Sequence, residues 1–188
     1  MSTTAAPLVR SFAPQFRADA RVLVLGSMPG TASLAAAQYY AHPRNAFWPI
    51  MGALFGAGPE LTYAQRLERL ASAGVALWDV IGRCERAGSL DSAIAPASIE
   101  ANDFAGLFAA CPGIAHVFFN GTAAETAFRR HVRGRIALPP LHFARLPSTS
   151  PAHAARGLSA KLAAWQAVKA AAQRTAAARI DTPAAQAA

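Results

Sequence analysis

The chain has 188 residues, of which 53% are hydrophobic and 15% are charged. This composition is typical of a single globular domain and excludes a chain that is disordered throughout. No apolar run approaches the roughly 18 to 20 residues that a membrane-spanning helix needs, and the first residues lack the apolar core of a secretory signal. We therefore expect a soluble, cytoplasmic protein that contacts no membrane.

The formal net charge of +8 is concentrated in the second half of the chain. Residues 1–100 contain eight arginines and seven acidic residues, whereas residues 101–188 contain ten basic and three acidic residues. Such an excess suits an anionic partner such as nucleic acid, although many basic proteins bind no specific polyanion. The two cysteines, Cys84 and Cys111, are too few for a disulfide framework and lack the spacing of a metal site.

Short apolar runs alternate with helical patterns in the first half of the chain. The expected elements are, in order, a buried strand at 21–26, a loop at 27–31, a short helical turn at 33–39, helices at 46–56 and 62–73, and a strand at 74–80. Residues 83–93 mix charges with glycine, which is typical of a long loop.

The second half continues the alternation. The expected elements are a helix at 102–110 capped by Asn102 or Asp103, a strand at 115–120, a helix capped by Thr122 that runs to about Arg130, a strand near 141–146 and a helix at about 159–173. Strands separated by helices predict an α/β sandwich with a mainly parallel sheet. We expect an N-terminal extension at 1–18, one domain at 19–170 and a frayed, Ala-rich tail at 171–188.

Three loops are expected to carry the function. In open parallel sheets, ligands bind beyond the carboxyl ends of the strands. That rule selects residues 26–31, 120–122 and 147–153, which are polar or rich in Gly and Pro and follow apolar strands. The first loop lacks the glycine patterns of dinucleotide and nucleoside triphosphate sites, and no nucleophile-elbow or metalloprotease motif occurs in the chain.

An unusual segment follows the first loop. Residues 38–48 contain four aromatic rings together with His42, Arg44 and Asn45. Aromatic faces beside amide groups suit a planar heterocycle, which they stack against and read at its edge. The alternative is structural, since Phe47 and Trp48 are also well placed to pack in the core, and we favour that role for these two residues.

Four ordered segments resemble the uracil-DNA glycosylase superfamily, and within it most closely the hypoxanthine-DNA (deoxyinosine) glycosylases. They are Leu25–Gly30, Tyr39–Trp48, Val117–Gly121 and Pro147–Ala152. The likeness covers roughly residues 20–170. It implies a three-layer α/β/α sandwich around a four-stranded, mainly parallel sheet, a base-flipping site and no cofactor or metal. The implied partner is DNA that contains deaminated bases, bound by a monomer associated with the nucleoid.

The resemblance also implies roles for individual residues. Met28 stands where most of the superfamily has an Asn or Asp that positions the attacking water, and Ser150 stands where the later motif has His or Asn. The hypoxanthine-acting branch resembles this chain in both substitutions, and there the Asn of the segment His42–Trp48 is thought to act. Asn45 is therefore the implied catalytic residue, against the alternative that it caps the following helix.

The remaining implied contacts fall into two groups. The base would meet the loop residues Gly26, Ser27, Met28, Pro29 and Gly30, with Tyr40 stacking on it and Asn120 and Ser150 at its edge. The DNA backbone would meet Arg44, Ser148, Pro151, His153 and Arg156. Asn120 has the alternative of capping the helix that follows it, and Asp79 is expected to hold a loop.

Three other functions stay open at this point. The first is a uracil- or xanthine-preferring enzyme of the same superfamily. The second is a DNA-binding relative without activity, which the substitutions Met28 and Ser150 suggest. The third is a small-molecule hydrolase unrelated to DNA. The arginine-rich stretch 129–135 is expected to face away from the site, because it precedes the last strand.

Overall fold

The computed structural model describes residues 6–153 and 155–180, and helices alternate with strands over most of this length. In chain order the elements are β1 (Leu8–Arg10), β2 (Val22–Gly26), α1 (Thr31–Ala36), α2 (Phe47–Phe55), α3 (Tyr63–Ser72), β3 (Val75–Asp79), β4 (Ile81–Glu85), β5 (Glu100–Ala101), α4 (Phe104–Ala110), β6 (His116–Asn120), α5 (Thr122–His131), β7 (His142–Leu146) and α6 (Leu158–Ile180). Short 3-10 turns lie at Asp91–Ala93, Pro96–Ser98 and Pro151–His153.

Strands β3, β2, β6 and β7 form a parallel sheet in that spatial order. Every residue of β2 and β3 is buried. Because both faces of these strands are covered, nearly all of their side chains are apolar. The register pairs Gly26 with Asp79 and Asn120 with Leu146. The strands therefore end together, and the loops that follow them meet at one edge of the sheet. The predicted fold class and the four predicted strands are confirmed.

Alternate residues of each central strand pack on opposite faces of this sheet. Leu23 and Leu25 join a core that contains Phe104 and Phe128 of α4 and α5. Val22 and Val24 join a second core formed with α2, α3 and α6. The sheet is thus the middle layer between two layers of helices, as the period of two along a strand requires.

A second, antiparallel sheet of β1, β4 and β5 was not predicted from the sequence. The expectation of a loop from residue 83 is wrong for residues 83–85, which belong to β4. The strand is short, and its charged residue Arg83 pairs with Glu100 at the surface while Cys84 is fully buried. Alternation over so few residues, with charges between the apolar positions, is hard to distinguish from a loop. Residues 8–10 of the expected extension form β1.

The last helix is longer than predicted. It continues to Ile180, and two of its own residues, Ala171 and Ala172, are buried against the core. Small side chains let the helix lie close to its neighbours here, and the expectation of a frayed tail from residue 171 is therefore wrong for residues 171–180. The rest of the expected tail, 181–188, lies outside the described residues. Among the described helices, none is long and apolar enough to cross a membrane.

Candidate active site

A pocket of about 150 Å³ lies at the edge of the parallel sheet where the strands end. It is closed by the loop after β2, the end of β3, the turn before α2, the end of β6 and the loop after β7. Residues that line it are Gly26, Ser27, Met28, Pro29, Gly30, Ala32, Ser33, Tyr39, Tyr40, His42, Asn45, Asp79, Ser89, Asp91, Asn120, Ser148, Thr149, Ser150 and Pro151. The loops selected by the carboxyl-end rule thus share one cavity.

The loop after β2 is held by its carbonyl oxygens. The carbonyls of Gly26 and Ser27 accept hydrogen bonds from the backbone N–H groups of Val80 and Ile81, at 2.9 and 3.0 Å. The Pro29 carbonyl accepts a hydrogen bond from the buried guanidinium of Arg86. Because these three carbonyl oxygens already accept hydrogen bonds, the loop can offer a ligand mainly its backbone N–H groups.

Met28 also lines the pocket, and it is 7% exposed and packed into the core below the sheet edge. A thioether cannot orient a nucleophile, since sulfur is only a weak acceptor. Met28 therefore contributes an apolar wall.

Asn45 stands at the pocket wall, just before α2. Its Oδ1 accepts a hydrogen bond from the Phe47 N–H at 3.0 Å, and its own N–H donates to the His42 carbonyl at 2.8 Å. The next residue, Ala46, donates to the Thr149 carbonyl at 3.0 Å, which ties this turn to the loop after β7. The alternative that Asn45 caps α2 is wrong, because the N-cap is Ala46 and has no side-chain hydrogen bond; the Asn45 side chain instead closes a turn onto the first helical residue, Phe47. One lone pair serves the helix start, while the second lone pair and the NH₂ group remain.

The two tyrosines before Asn45 are placed differently. Tyr39 is 2% exposed and packs in the core. Tyr40 adopts a positive φ of 55°, which is rare for a bulky residue, and its ring stacks on Phe47 with centroids 3.9 Å apart. Because one ring face is occupied, only the opposite face is available for a base. The predicted core positions of Phe47 and Trp48 are confirmed, since both are buried.

Asn120 does not cap α5, so the capping alternative is wrong, as is the predicted cap at Thr122. The helix has no side-chain cap and begins after Gly121, whose φ is 92°. The Asn120 amide instead holds the buried Thr149: its Nδ2 donates to Thr149 Oγ1 at 2.9 Å, and its Oδ1 accepts from the Thr149 N–H at 2.8 Å. A Cβ at Gly121 would lie 2.8 Å from Cβ of Ser148. The ends of β6 and β7 are therefore closely joined.

Buried ionisable groups surround the base of the pocket. Asp79 is 3% exposed, and its burial, reinforced by the negative charge of Asp91, raises the pKa of its carboxyl to about 8 although Arg86 opposes this shift. Burial also raises the pKa of the Tyr40 phenol, with Asp79 as the second cause and Asn120 acting in the opposite direction. At neutral pH both groups are therefore hydrogen-bond donors.

Some residues expected to bind DNA lie outside the pocket. Arg44, His153 and Arg156 are exposed and are absent from its lining, whereas Ser148 and Pro151 line it. Two further cations in the second half of the chain are poorly placed to bind phosphate. Lys161 is 5% exposed, and burial lowers its pKa; Arg145 pairs with Glu125 at 3.0 Å.

Sequence reasoning missed Ser89 and Asp91 as lining residues, and it expected Asp79 to hold a loop rather than to line the pocket. The signal for Asp79 was present, because it ends the second predicted strand, and the carboxyl-end rule applies to that strand as well. Ser89 and Asp91 follow the overlooked strand β4, so no pattern indicated that their segment returns to the site. Asp91 accepts a hydrogen bond from Ser27 Oγ at 2.7 Å. The described residues contain no group of three or more His, Cys, Asp or Glu side chains that could hold a metal ion.

Known proteins are similar to this chain in sequence and in fold. A profile of the Uracil DNA glycosylase superfamily matches residues 13–170. A protein named hypoxanthine DNA glycosylase from Methanosarcina barkeri is 36% identical over 113 residues, which is 60% of this chain and 70% of the relative. A protein of the same name from Methanosarcina acetivorans is 35% identical over 116 residues, 61% of this chain and 72% of the relative.

A solved structure agrees with these sequence matches. The solution NMR structure of a candidate uracil DNA glycosylase from Methanosarcina acetivorans superposes with a TM-score of 0.73 at 30% identity, and the match covers 89% of this chain and 99% of the other. The family profile covers the whole segment that lines the pocket, from Gly26 to Pro151. The chain belongs to the uracil DNA glycosylase superfamily.

Proposed function

We propose that this protein is a monofunctional DNA glycosylase that hydrolyses the N-glycosidic bond of deoxyinosine in DNA. The observation that supports this most is the shared pocket, which brings the strand-end loops and the segment from Tyr40 to Asn45 around one small cavity. Membership of the superfamily supports a DNA glycosylase. The names of the two relatives, which concern hypoxanthine, support the choice of base.

The size of the pocket limits what enters it. Its volume of about 150 Å³ is below the ~300 to 1,000 Å³ of sites for drug-sized ligands, and is similar to the ~150 Å³ of an engineered cavity that holds benzene. A single heterocyclic base fits this description better than a nucleotide does. The target nucleotide would therefore leave the duplex, with its base in the pocket and its sugar and phosphates at the mouth.

The reaction breaks the bond between C1′ of the sugar and the ring nitrogen of the base. The bonding electrons go to the base, and a water oxygen bonds to C1′ and keeps one of its hydrogens as the new hydroxyl. The single proton that the water loses matches the one that the released base takes up, with solvent as the carrier. In the transition state the sugar gains positive charge and the base gains negative charge. Backbone N–H groups of the loop after β2 would stabilise the base, as in other oxyanion-type sites.

Asn45 would hold the attacking water. Its amide is fixed by the bond from Phe47, so its free lone pair and NH₂ group have a defined direction. An amide orients a water but is too weak a base to ionise it, so stabilisation of the leaving base must supply most of the acceleration. Tyr40 would stack on the base with the ring face that Phe47 leaves free.

The test uses protein in excess over duplex oligonucleotides that carry deoxyinosine, deoxyuridine, deoxyxanthosine or only normal bases. Alkali cleavage reports the abasic sites formed in a single turnover. Cleavage fastest at deoxyinosine supports the proposal, while fastest cleavage at one of the other two modified bases supports the alternative specificity. If no duplex acquires abasic sites, the protein is a DNA-binding relative without activity, and the proposal is wrong.

Two variants of Asn45 connect the activity to this site. Asn45→Ala is expected to lose cleavage roughly 10³-fold while it retains duplex binding. Asn45→Ser keeps an oxygen that can accept the Phe47 N–H, so it preserves the helix start but not the amide. We expect the Ser variant to melt close to the wild type and yet to cleave as poorly as the Ala variant. Near-normal cleavage by both variants would contradict the role of Asn45.

A further inference from the structure

Asp79 is a buried carboxyl group that the fold does not use. It lines the pocket at 3% exposure, and its Oδ2 is buried without a hydrogen-bond partner among the described residues. Its backbone carbonyl, in contrast, accepts a hydrogen bond from Asn102 at 2.8 Å. A buried polar atom without a partner within the protein costs free energy, and a hydrogen bond to a ligand would remove that cost.

The carboxyl of Asp79 lies close against the backbone of Gly26. A Cβ at Gly26 would lie 2.3 Å from Asp79 Oδ1 and 3.2 Å from the Tyr40 hydroxyl. Both oxygens therefore converge over Gly26, beside the loop that lines the pocket. The Tyr40 hydroxyl also makes no hydrogen bond of normal geometry within the described structure.

We infer that Asp79, as the neutral carboxylic acid, donates a hydrogen bond to the carbonyl oxygen at the edge of the flipped base and so selects for deaminated bases. The inference rests on the proposed function, since it assigns a specificity-determining residue to the same pocket. Asp79 keeps its proton throughout, and the hydrogen bond strengthens as the leaving base becomes negative.

The selectivity follows from what deamination does to a base. Adenine presents an amino donor at its 6 position, whereas hypoxanthine has a carbonyl acceptor there. A neutral acid can donate to that carbonyl. Towards adenine, the donated hydrogen would meet the amino hydrogens, and the site would leave its own donor unpaired. Sites built to pair with one polar group reject analogues that lack it far more strongly than apolar pockets do.

The charged and titratable groups around Asp79 determine when it can donate. Asp91 lies on the loop after β4, Arg86 lies between β4 and that loop, and Tyr39, Tyr40 and Tyr63 are the phenols that feel the Asp79 charge. Burial and Asp91 hold the Asp79 pKa at about 8, against the pull of Arg86. The donor is therefore present at neutral pH and is lost as the pH rises through about 8.

The experiment compares wild-type protein with Asp79→Asn and Asp79→Ala in single-turnover cleavage of deoxyinosine duplex between pH 6 and 10. The Asn side chain has a similar shape and keeps an N–H donor that does not titrate, while the Ala side chain has no donor. Asp19→Asn, which removes an exposed carboxylate, is the matched control. Deoxyadenosine duplex is included at each pH to measure discrimination.

We expect the wild-type rate to fall above pH 8, approaching tenfold per pH unit, and the Asp79→Asn rate to lack this fall. Any titration of the substrate itself appears equally in both proteins. Asp79→Ala is expected to lose roughly 10²- to 10³-fold in rate at pH 7. The wild-type melting temperature should fall relative to that of Asp79→Asn as the pH rises from 4 towards 8, because the folded state binds the Asp79 proton more tightly than the unfolded state.

The inference is overturned if wild type and Asp79→Asn share one pH profile, or if a folded Asp79→Ala cleaves normally. If Asp79→Ala does not fold, the comparison of wild type with Asp79→Asn decides alone. Absence of cleavage by the wild type at every modified base contradicts the proposed function, which is a different result from activity that is indifferent to Asp79.

Discussion

The two ends of the parallel sheet place their polar groups in opposite ways. At the carboxyl end, Asp79 and the Tyr40 hydroxyl are buried beside a pocket, and each has an oxygen without a partner among the described residues. Towards the amino end, where α5 finishes, Arg129, Arg130, Arg133 and Arg135 are exposed to solvent. Charges at a helix C-terminus are stabilised by the helix dipole and need no ligand. The densest group of arginines therefore lies away from the candidate active site, whose described lining contains neither Arg nor Lys.

The largest loss of activity is expected from a substitution at Gly26, at the carboxyl end of the sheet. Gly26→Ala adds a Cβ 2.3 Å from Asp79 Oδ1, so the carboxyl must move. Small misplacements of catalytic groups can cost about 10²-fold in rate, and overpacking costs ~1 to 3 kcal/mol of stability. We expect both effects in single-turnover cleavage and in denaturant unfolding.

Gly157→Ala is the matched control for that change, because a Cβ there has no heavy atom within 4 Å. It is expected to cleave and unfold like the wild type. If Gly26→Ala did the same, the close approach of Asp79 to this loop would have no functional weight.

A smaller effect is expected where the pocket is joined to the fold. Asn120→Ala removes both hydrogen bonds to Thr149 and leaves buried groups unpaired, which costs ~1 to 3 kcal/mol. Cleavage should fall about tenfold, since the loop after β7 is less well held. Thr149→Ser keeps the hydroxyl and the N–H, so it should stay close to wild type by the same two measurements. If Asn120→Ala and Thr149→Ser lost the same activity and stability, the Thr149 methyl group would be important, and not its two hydrogen bonds with Asn120.

The smallest effect is expected at the amino end. Replacing Arg130 and Arg133 with Gln should change the single-turnover rate at saturating protein less than about twofold, and stability by less than ~0.5 kcal/mol, as for most surface substitutions. Arg44→Gln and Arg156→Gln carry the same charge change near the pocket loops. If Arg44 and Arg156 contact DNA phosphates, each of these two substitutions should lower the slope of log affinity against log salt concentration by about 1. If replacing Arg130 and Arg133 lowered DNA affinity more than replacing Arg44 and Arg156, DNA would bind towards the amino end of the sheet and not at the pocket.

The sequence was sufficient for the parts of the fold that depend on continuous apolar runs. Strands such as β2 and β6 are buried on both faces, so their composition alone identifies them. The positions of the loops then followed from the carboxyl-end rule. The antiparallel sheet could not be found in this way, because β4 has five residues and carries charges between its buried positions.

The candidate site was accessible to sequence reasoning only in part. Motifs indicated Asn45, Tyr40 and the loop after β2, all of which line the pocket. The roles of Asn120 and Asp79 depend on register and on distances between separate strands, which no local pattern contains. Asn45 shows a further limit, since one amide can serve the helix start and face the pocket at once.

The pairing of β1 with β4 makes the beginning of the described chain part of the pocket's support. Strand β4 leads directly to Arg86, whose own N–H donates to the Pro7 carbonyl and whose side chain holds the Pro29 carbonyl. A trimmed or tightly fused N-terminus would therefore loosen the loop that faces the base, even though residues 7–10 line no part of the cavity. Affinity tags and labels are therefore better placed at the C-terminal end of the chain.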